Sequence, residues 1–175
     1  MVKTLLWGIA LAVLGLLGYA STQPDTFTVE RSTTIQAAPE RIYPLIADFR
    51  RWNAWSPWEQ MDPAMKRSFS GAESGQGAVY TWEGNAEVGR GRMEIRSARP
   101  SSSVDIQLDF LAPFEAHNTA AFTLVPEAGT TEVTWTMRGP MPLVSKVMGV
   151  FVSMDQMVGK DFEKGLANLK AAAER

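Results

Sequence analysis

Val104-Asp105-Ile106-Gln107-Leu108-Asp109-Phe110 alternates apolar and polar residues without a fault, and residues 143–172 (LVSKVMGVFVSMDQMVGKDFEKGLANLKAA) then switch to a helical period. The first pattern is a half-buried strand, with Val104, Ile106, Leu108 and Phe110 inward and Asp105, Gln107 and Asp109 outward. Between the two segments, Ala120, Phe122 and Leu124 form another inward row. Glu127-Ala128-Gly129-Thr130 is a turn, and Val133, Trp135 and Met137 form the row after it. Short turns make these strands antiparallel neighbours. From Leu143, the residues Val147, Val150, Met154, Val158, Phe162, Leu166 and Leu169 trace one stripe, which predicts a helix to Ala172 on the order of 45 Å long. Gly149, Gly159 and Gly165 each cost about 1 kcal/mol there relative to Ala. They imply a close approach to a sheet or open volume beside the helix.

The strand pattern extends toward the N-terminus. Residues 26–36 alternate, with Phe27, Val29, Thr33 and Ile35 on one parity, and Arg31 falls on that apolar side. One reading is a strand-edge arginine whose stem packs while its head reaches water; the other is a cation inside a pocket. Pro39 opens a helix whose apolar face is Ile42, Tyr43, Leu45, Ile46 and Phe49, broken around Asp48. Trp52, Trp55 and Trp58 then fall within seven residues. They read either as a packed aromatic corner or as the rim of a cavity. Ser68–Gly71 is a short strand, Ala78, Tyr80 and Trp82 share one side of the next, and Gly84-Asn85 is a hairpin signal. The strand from Val88 to Ser97 shifts parity, which a bulge near Gly89 or Gly91 explains.

Composition excludes several functions. The chain has 175 residues, 45% hydrophobic and 21% charged, as one globular domain with an appended segment requires. A net charge of -2 speaks against a nucleic-acid partner. Without cysteine there is no disulfide, thiolate or cysteine zinc site, and the single histidine, His117, rules out a multi-histidine metal site. No phosphate loop, dinucleotide fingerprint or nucleophile elbow occurs. No cofactor and no metal are expected; the oligomeric state is not legible.

Residues 5–20 (LLWGIALAVLGLLGYA) carry no charge and follow Lys3. As a helix they reach about 24 Å, between a signal-peptide core and a full membrane anchor. Residues 1–24 are therefore expected as a hydrophobic helix and residues 25–175 as the domain. The first expectation is a single pass of the cytoplasmic membrane through residues 5–20, with the domain on the outer, periplasmic side. The alternative is secretion after cleavage, since Gly18-Tyr19-Ala20 offers small residues to a peptidase. Without Lys3 the remainder has 16 basic and 19 acidic residues, which argues against electrostatic binding to anionic lipid.

The order of elements is strand, short helices, antiparallel run, long helix. In this order the chain resembles the START-like superfamily (SRPBCC, helix-grip fold), in its polyketide cyclase/dehydrase-like branch. The residues behind the resemblance are Val29-Glu30-Arg31-Ser32 running into Ile35-Gln36-Ala37-Ala38-Pro39-Glu40-Arg41-Ile42-Tyr43, then Asp48 with Trp52-Asn53-Ala54-Trp55-Ser56-Pro57-Trp58. Trp135-Thr136-Met137-Arg138-Gly139 and residues 161–170 complete it. The resemblance implies an α+β fold in which a curved antiparallel sheet of six to seven strands wraps a long C-terminal helix, with two short helices after strand 1. It also implies an apolar ligand between sheet and helix.

The expected ligand-binding residues are Tyr80, Trp82, Met93, Phe110, Phe114, Phe122, Trp135, Met137, Met154, Val158 and Phe162, with Trp52, Trp55 and Trp58 at the rim. They line a cavity, or fill one another's space as a solid core. Nine methionines suit a surface that repacks around its ligand. Candidates for chemistry are sparse: Arg31, Tyr80, and His117 with Glu115 two residues before it on the same parity. Arg90 and Arg92 face the cavity only if a bulge at Gly91 turns them inward. The expected function is non-catalytic binding of a small hydrophobic or amphipathic ligand. One alternative is a cyclase/dehydratase-type enzyme using the same pocket. Another is an envelope protein-interaction module using the tryptophan patch.

Overall fold

The computed structural model describes the backbone of residues 2–175 and the side chains from residue 6 onward. Helix α1 (Val2–Ser21) leads into β1 (Thr26–Ile35), α2 (Pro39–Ala47) and two 3-10 turns at Phe49–Ala54 and Pro57–Gln60. Then come β2 (Lys66–Gly71), β3 (Ala78–Glu83), β4 (Arg90–Arg99), β5 (Ser103–Ala112), β6 (Ala116–Glu127) and β7 (Thr130–Pro140). Helices α3 (Leu143–Gly149) and α4 (Met154–Ala173) end the chain.

The strands form one seven-stranded antiparallel sheet in the order β1-β7-β6-β5-β4-β3-β2. Sequential hairpins build β2 to β7, and β1 returns to pair with the last strand, Val29 opposite Met137. The inward parities read from the sequence are the buried ones: Val104 and Ile106, Phe122 and Leu124, Val133, Trp135 and Met137. Helix α4 lies across β1 and β7 and buries Phe162, Leu166, Leu169 and Ala173. Helix α2 starts with Pro39 in its first turn and buries Ile42, Ile46 and Ala47. Asp48 then ends it, its carboxylate accepting from the Arg50 backbone N–H at 2.9 Å to cap the first 3-10 turn.

Two expectations need correction. The predicted single helix from Leu143 to Ala172 is two helices. Ser153 and Gln156 form a reciprocal capping box, the Ser153 hydroxyl accepting from Gln156 N and the Gln156 side chain from Ser153 N. That pattern starts a new helix whatever the apolar stripe does. The Gly84-Asn85 hairpin signal marks the right place but not a two-residue turn. Residues 84–89 form the connection, closed by Gly84 N–H donating to Gly89 O at 2.9 Å. The Asn85 side chain accepts from the backbone N–H groups of Glu87 and Val88. The expected bulge is present, as a register shift between Arg90 and Gly91.

Among the described residues no helix is long and apolar enough to cross a membrane. Helix α1 packs against α3 and leaves Leu6, Trp7, Ile9, Leu11, Val13 and Leu14 exposed. The junction is held by Lys146, whose ammonium donates to Asp25 at 2.6 Å, and by Met141 N–H donating to Asp25 O at 2.7 Å.

The α4 glycines play different parts. A Cβ on Gly165 would lie 2.9 Å from the Trp135 ring and 3.2 Å from Pro57, both held rigidly. On Gly159 it would meet the tip of Arg31, which can swing away, and make an ordinary contact with Asp155 at 3.5 Å. Gly165→Ala is therefore expected to lower stability by about 1–3 kcal/mol through overpacking. Gly159→Ala is expected to lie within about 1 kcal/mol of the native protein, because the gain in helix propensity offsets a weakened exposed ion pair. Denaturant unfolding of both variants checks this. Equal stability of the two would contradict the close packing of α4 on Trp135.

Candidate functional site

A cavity of about 350 Å³ lies between the sheet and α4. Its floor comes from inward positions of five strands: Tyr80 and Trp82, Met93, Leu108 and Phe110, Asn118 and Ala120, then Trp135 and Met137. Met154, Met157, Val158 and Phe162 of α4 form the roof. Trp52, Ser56, Trp58, Glu59 and Met65 form the back wall. Gly91 has a specific task here: a Cβ would come within 2.4 Å of the Trp82 ring, so glycine leaves that ring its place.

Two of the lining residues, Glu87 and Met157, are exposed, and they mark the open end of the cavity. The strand register puts the 84–89 loop, the loop before Ala116, and the β7–α3 junction at that same end of the sheet. Helix α1 enters β1 there too, since Thr26 pairs with Pro140. Phe114 is exposed in the loop before Ala116, and Val144, Met148, Phe151, Val152 and Met157 are exposed on α3, on its link to α4 and on the first turn of α4.

Of the expected ligand-binding residues, Tyr80, Trp82, Met93, Phe110, Trp135, Met137, Met154, Val158 and Phe162 line the cavity. Phe122 is wholly buried and Phe114 is 79% exposed; neither lines the cavity. Of the expected rim, Trp52 and Trp58 are in the wall. Trp55 sits behind it at 0% exposure, and its indole N–H donates to Leu45 O at 2.8 Å. Trp52 likewise donates to Ile46 O at 2.9 Å. The tryptophan patch is therefore not an exposed protein interface: Trp52 and Trp55 are buried, and partly buried Trp58 sits edge-on to Trp135 and Phe162. Trp135 stacks on Phe162 with centroids 4.1 Å apart, and its own buried N–H has no hydrogen-bond acceptor among the described residues.

The sequence reading passed over Ser56, Glu59, Met65, Glu87, Val88, Leu108, Asn118, Ala120 and Met157 as cavity residues. Leu108 and Ala120 were available from strand parity, and so was Asn118, a polar residue two places before Ala120 on the inward side. Glu59 left no signal, because its place depends on how the two 3-10 turns fold back.

Glu59 joins the main polar network of the wall. The Tyr80 hydroxyl donates to its Oε1 at 2.6 Å, and Arg67 Nε donates to its Oε2 at 2.6 Å. Burial, followed by the neighbouring Glu59 carboxylate, pushes the Tyr80 hydroxyl well above the usual phenol range. Tyr80 thus stays protonated at neutral pH and is available for hydrogen bonding rather than as a base.

The other candidates for chemistry lie elsewhere. Arg31 does not enter the cavity. It pairs with Asp155 at 2.7 Å and Glu163 at 2.8 Å on α4, which raises its pKa further and holds the helix to β1. Arg90 and Arg92 also miss the cavity lining; Arg92 pairs with Glu94. His117 lies on the opposite parity from Asn118, with Nδ1 2.8 Å from Asp109 and Nε2 3.3 Å from Glu115. The Glu115–His117 pair therefore forms, but outside the cavity. Among the described residues no group of three or more His, Cys, Asp or Glu is placed to hold a metal.

The hydrogen bond to Asp109 is the main cause that raises the His117 pKa. A raised folded-state value contributes stability below the unfolded value of about 6.5 and loses it as pH climbs through the folded value. His117→Gln is expected to flatten the dependence of Tm on pH from about 6.5 upward. An unchanged slope would refute the coupling.

A family model described as polyketide cyclase / dehydrase and lipid transport matches residues 26–174. The chain belongs to this family. Structures agree on the fold. A protein of Chromobacterium violaceum, CV1439, superposes with a TM-score of 0.59 at 16% identity, covering 87% of this chain and 99% of its own. The Aha1 dimer of Colwellia psychrerythraea gives 0.58 at 18%, covering 85% and 96%. DynU16, a protein of the dynemicin biosynthetic locus, gives 0.57 at 17%, covering 85% of this chain and 47% of its own. No curated protein matches the sequence. The helix-grip fold of the cyclase/dehydrase and lipid transport family thus accounts for the α4-roofed cavity.

Proposed function

We propose that this member of the family is a non-catalytic binding protein that holds one small, largely apolar molecule between the sheet and α4. The carrying observation is the cavity itself: about 350 Å³, walled by tryptophan, phenylalanine, methionine and aliphatic side chains, and open at one end. Such a space excludes water from an apolar ligand, which gains about 0.8 kcal/mol per buried CH₂. The reading also places the protein at the cytoplasmic membrane through the uncharged run of residues 5–20, with residues 25–175 on the outer side. Its support is the exposed apolar surface of α1 and its position at the open end of the cavity.

The test is native mass spectrometry of the full chain purified from its own host, followed by organic extraction. The expected result is one retained apolar molecule per chain, with the protein in the membrane fraction. Recovery of the uncleaved chain in the soluble fraction would contradict the membrane placement alone. A purified chain that takes up no apolar compound at any concentration would contradict the binding reading.

The family supports a second reading, an enzyme of the cyclase/dehydratase type. Of its candidates, only Tyr80 lines the cavity. It would act there by positioning and hydrogen bonding. Turnover of a reactive chain that survives Tyr80→Phe unchanged would sink that reading.

A further inference from the structure

Across the sheet, one transverse row of residues runs Asn118, Leu108, Met93, Tyr80: Leu108 pairs with Asn118, Met93 with Leu108, and Tyr80 with Met93. All four line the cavity. The two middle members are apolar, and the two ends are polar.

At one end, the Tyr80 hydroxyl donates its hydrogen bond to Glu59, so its oxygen keeps lone pairs free to accept. Glu59 is in turn neutralised by Arg67. At the other end Asn118 is 5% exposed, and its amide makes no hydrogen bond to any described protein group. The amide is not sealed in the core: it borders the cavity, where a ligand can supply the partner that the protein does not. The fold reserves space for it: a Cβ on Gly139, the next residue along the row, would lie 2.0 Å from Asn118 Oδ1. Glycine at 139 is what lets the amide lie where it does.

We propose that the ligand is an uncharged, elongated molecule with an oxygen function at each end and an apolar body between. A hydroxyl would donate to Tyr80, and a carbonyl or hydroxyl would pair with the Asn118 amide. The body would cross Leu108 and Met93. Three strand spacings separate the ends, about 14 Å between backbones, and the two inward side chains shorten the gap. This inference rests on the ligand-binding reading above and specifies its ligand class.

The experiment uses the full chain in mild detergent, with straight-chain α,ω-diols of six to twelve carbons and the matching 1-alkanols as probes. The readout is the ratio of alkanol Kd to diol Kd at each length, in the native chain, Asn118→Leu and Tyr80→Phe. A general loss of affinity in a variant cancels in this ratio. In an apolar cavity the second hydroxyl is a penalty, so the alkanol binds tighter at every length. The proposal expects the ratio to reach at least one at the best-fitting length in the native chain. It expects a fall of about tenfold or more in each variant. Native alkanol binding that exceeds diol binding at every length would overturn the two-ended ligand and leave the cavity reading intact. So would a ratio that neither substitution moves. No binding of any probe to the native chain would overturn both.

Discussion

Trp55→Ala is expected to cost about 3–5 kcal/mol of folding stability, the upper end of what one core truncation removes. The ring is fully buried and edge-on to Phe122 and Trp135, with centroids 5.9 and 5.5 Å away. Its N–H ties the 3-10 turn to the end of α2, and its backbone carbonyl accepts from Asn168 of α4 at 3.1 Å. Truncation therefore opens a void where three parts of the fold meet and orphans the Leu45 carbonyl. Against a typical total of about 5–15 kcal/mol, such a loss brings the domain close to unfolding. Equilibrium denaturation measures it. A loss below about 1 kcal/mol would mean that the tryptophan corner is not part of the core.

Ala120→Phe is expected to abolish ligand binding while the protein remains folded. Ala120 lies on the cavity floor, paired with Ile106 on one side and Met137 on the other. A phenyl ring there projects into space that the native protein leaves to the ligand. Each displaced methylene removes about 0.8 kcal/mol of burial, so two cost about tenfold in affinity and a ring's worth far more. Because the ring occupies existing space, thermal stability should hold or rise. Titration of a 1-alkanol against native and variant protein checks both halves. Undiminished affinity in the variant would place the ligand elsewhere.

Much of this architecture was legible in the sequence because strand parity is a strict two-fold code. Val104 to Phe110, and the rows through Phe122 and Trp135, could face only one way once the apolar side was buried. The change of period at Leu143 placed a helix after the sheet, and resemblance supplied the grip between them. The break at Ser153 was harder to see. The apolar stripe runs through it unbroken, and only the Ser153–Gln156 spacing marks a new N-terminus. Apolar lining was legible to the same extent as parity: Trp82 and Met93 lie in the cavity, whereas Phe122, on an equally inward position, lies deeper in the packed core. Parity tells which side a residue faces, not how far along the strand the cavity extends. The polar lining was least legible. Glu59 reaches Tyr80 through tertiary packing of two irregular turns, and Asn118 acquires its meaning only from Gly139 across the strand pair. Arg31 is the converse case. Its inward parity is real, but Asp155 and Glu163 on α4 meet it before it reaches the cavity.

The most direct measurement is a high-resolution crystal structure of the chain grown with 1-decanol. The account predicts continuous density for the alcohol between Met93 on the floor and Phe162 on the roof, with Trp82, Phe110 and Trp135 in place around it. Density-free space closed by inward-collapsed Met154 and Met157 side chains, at saturating alcohol, would contradict it.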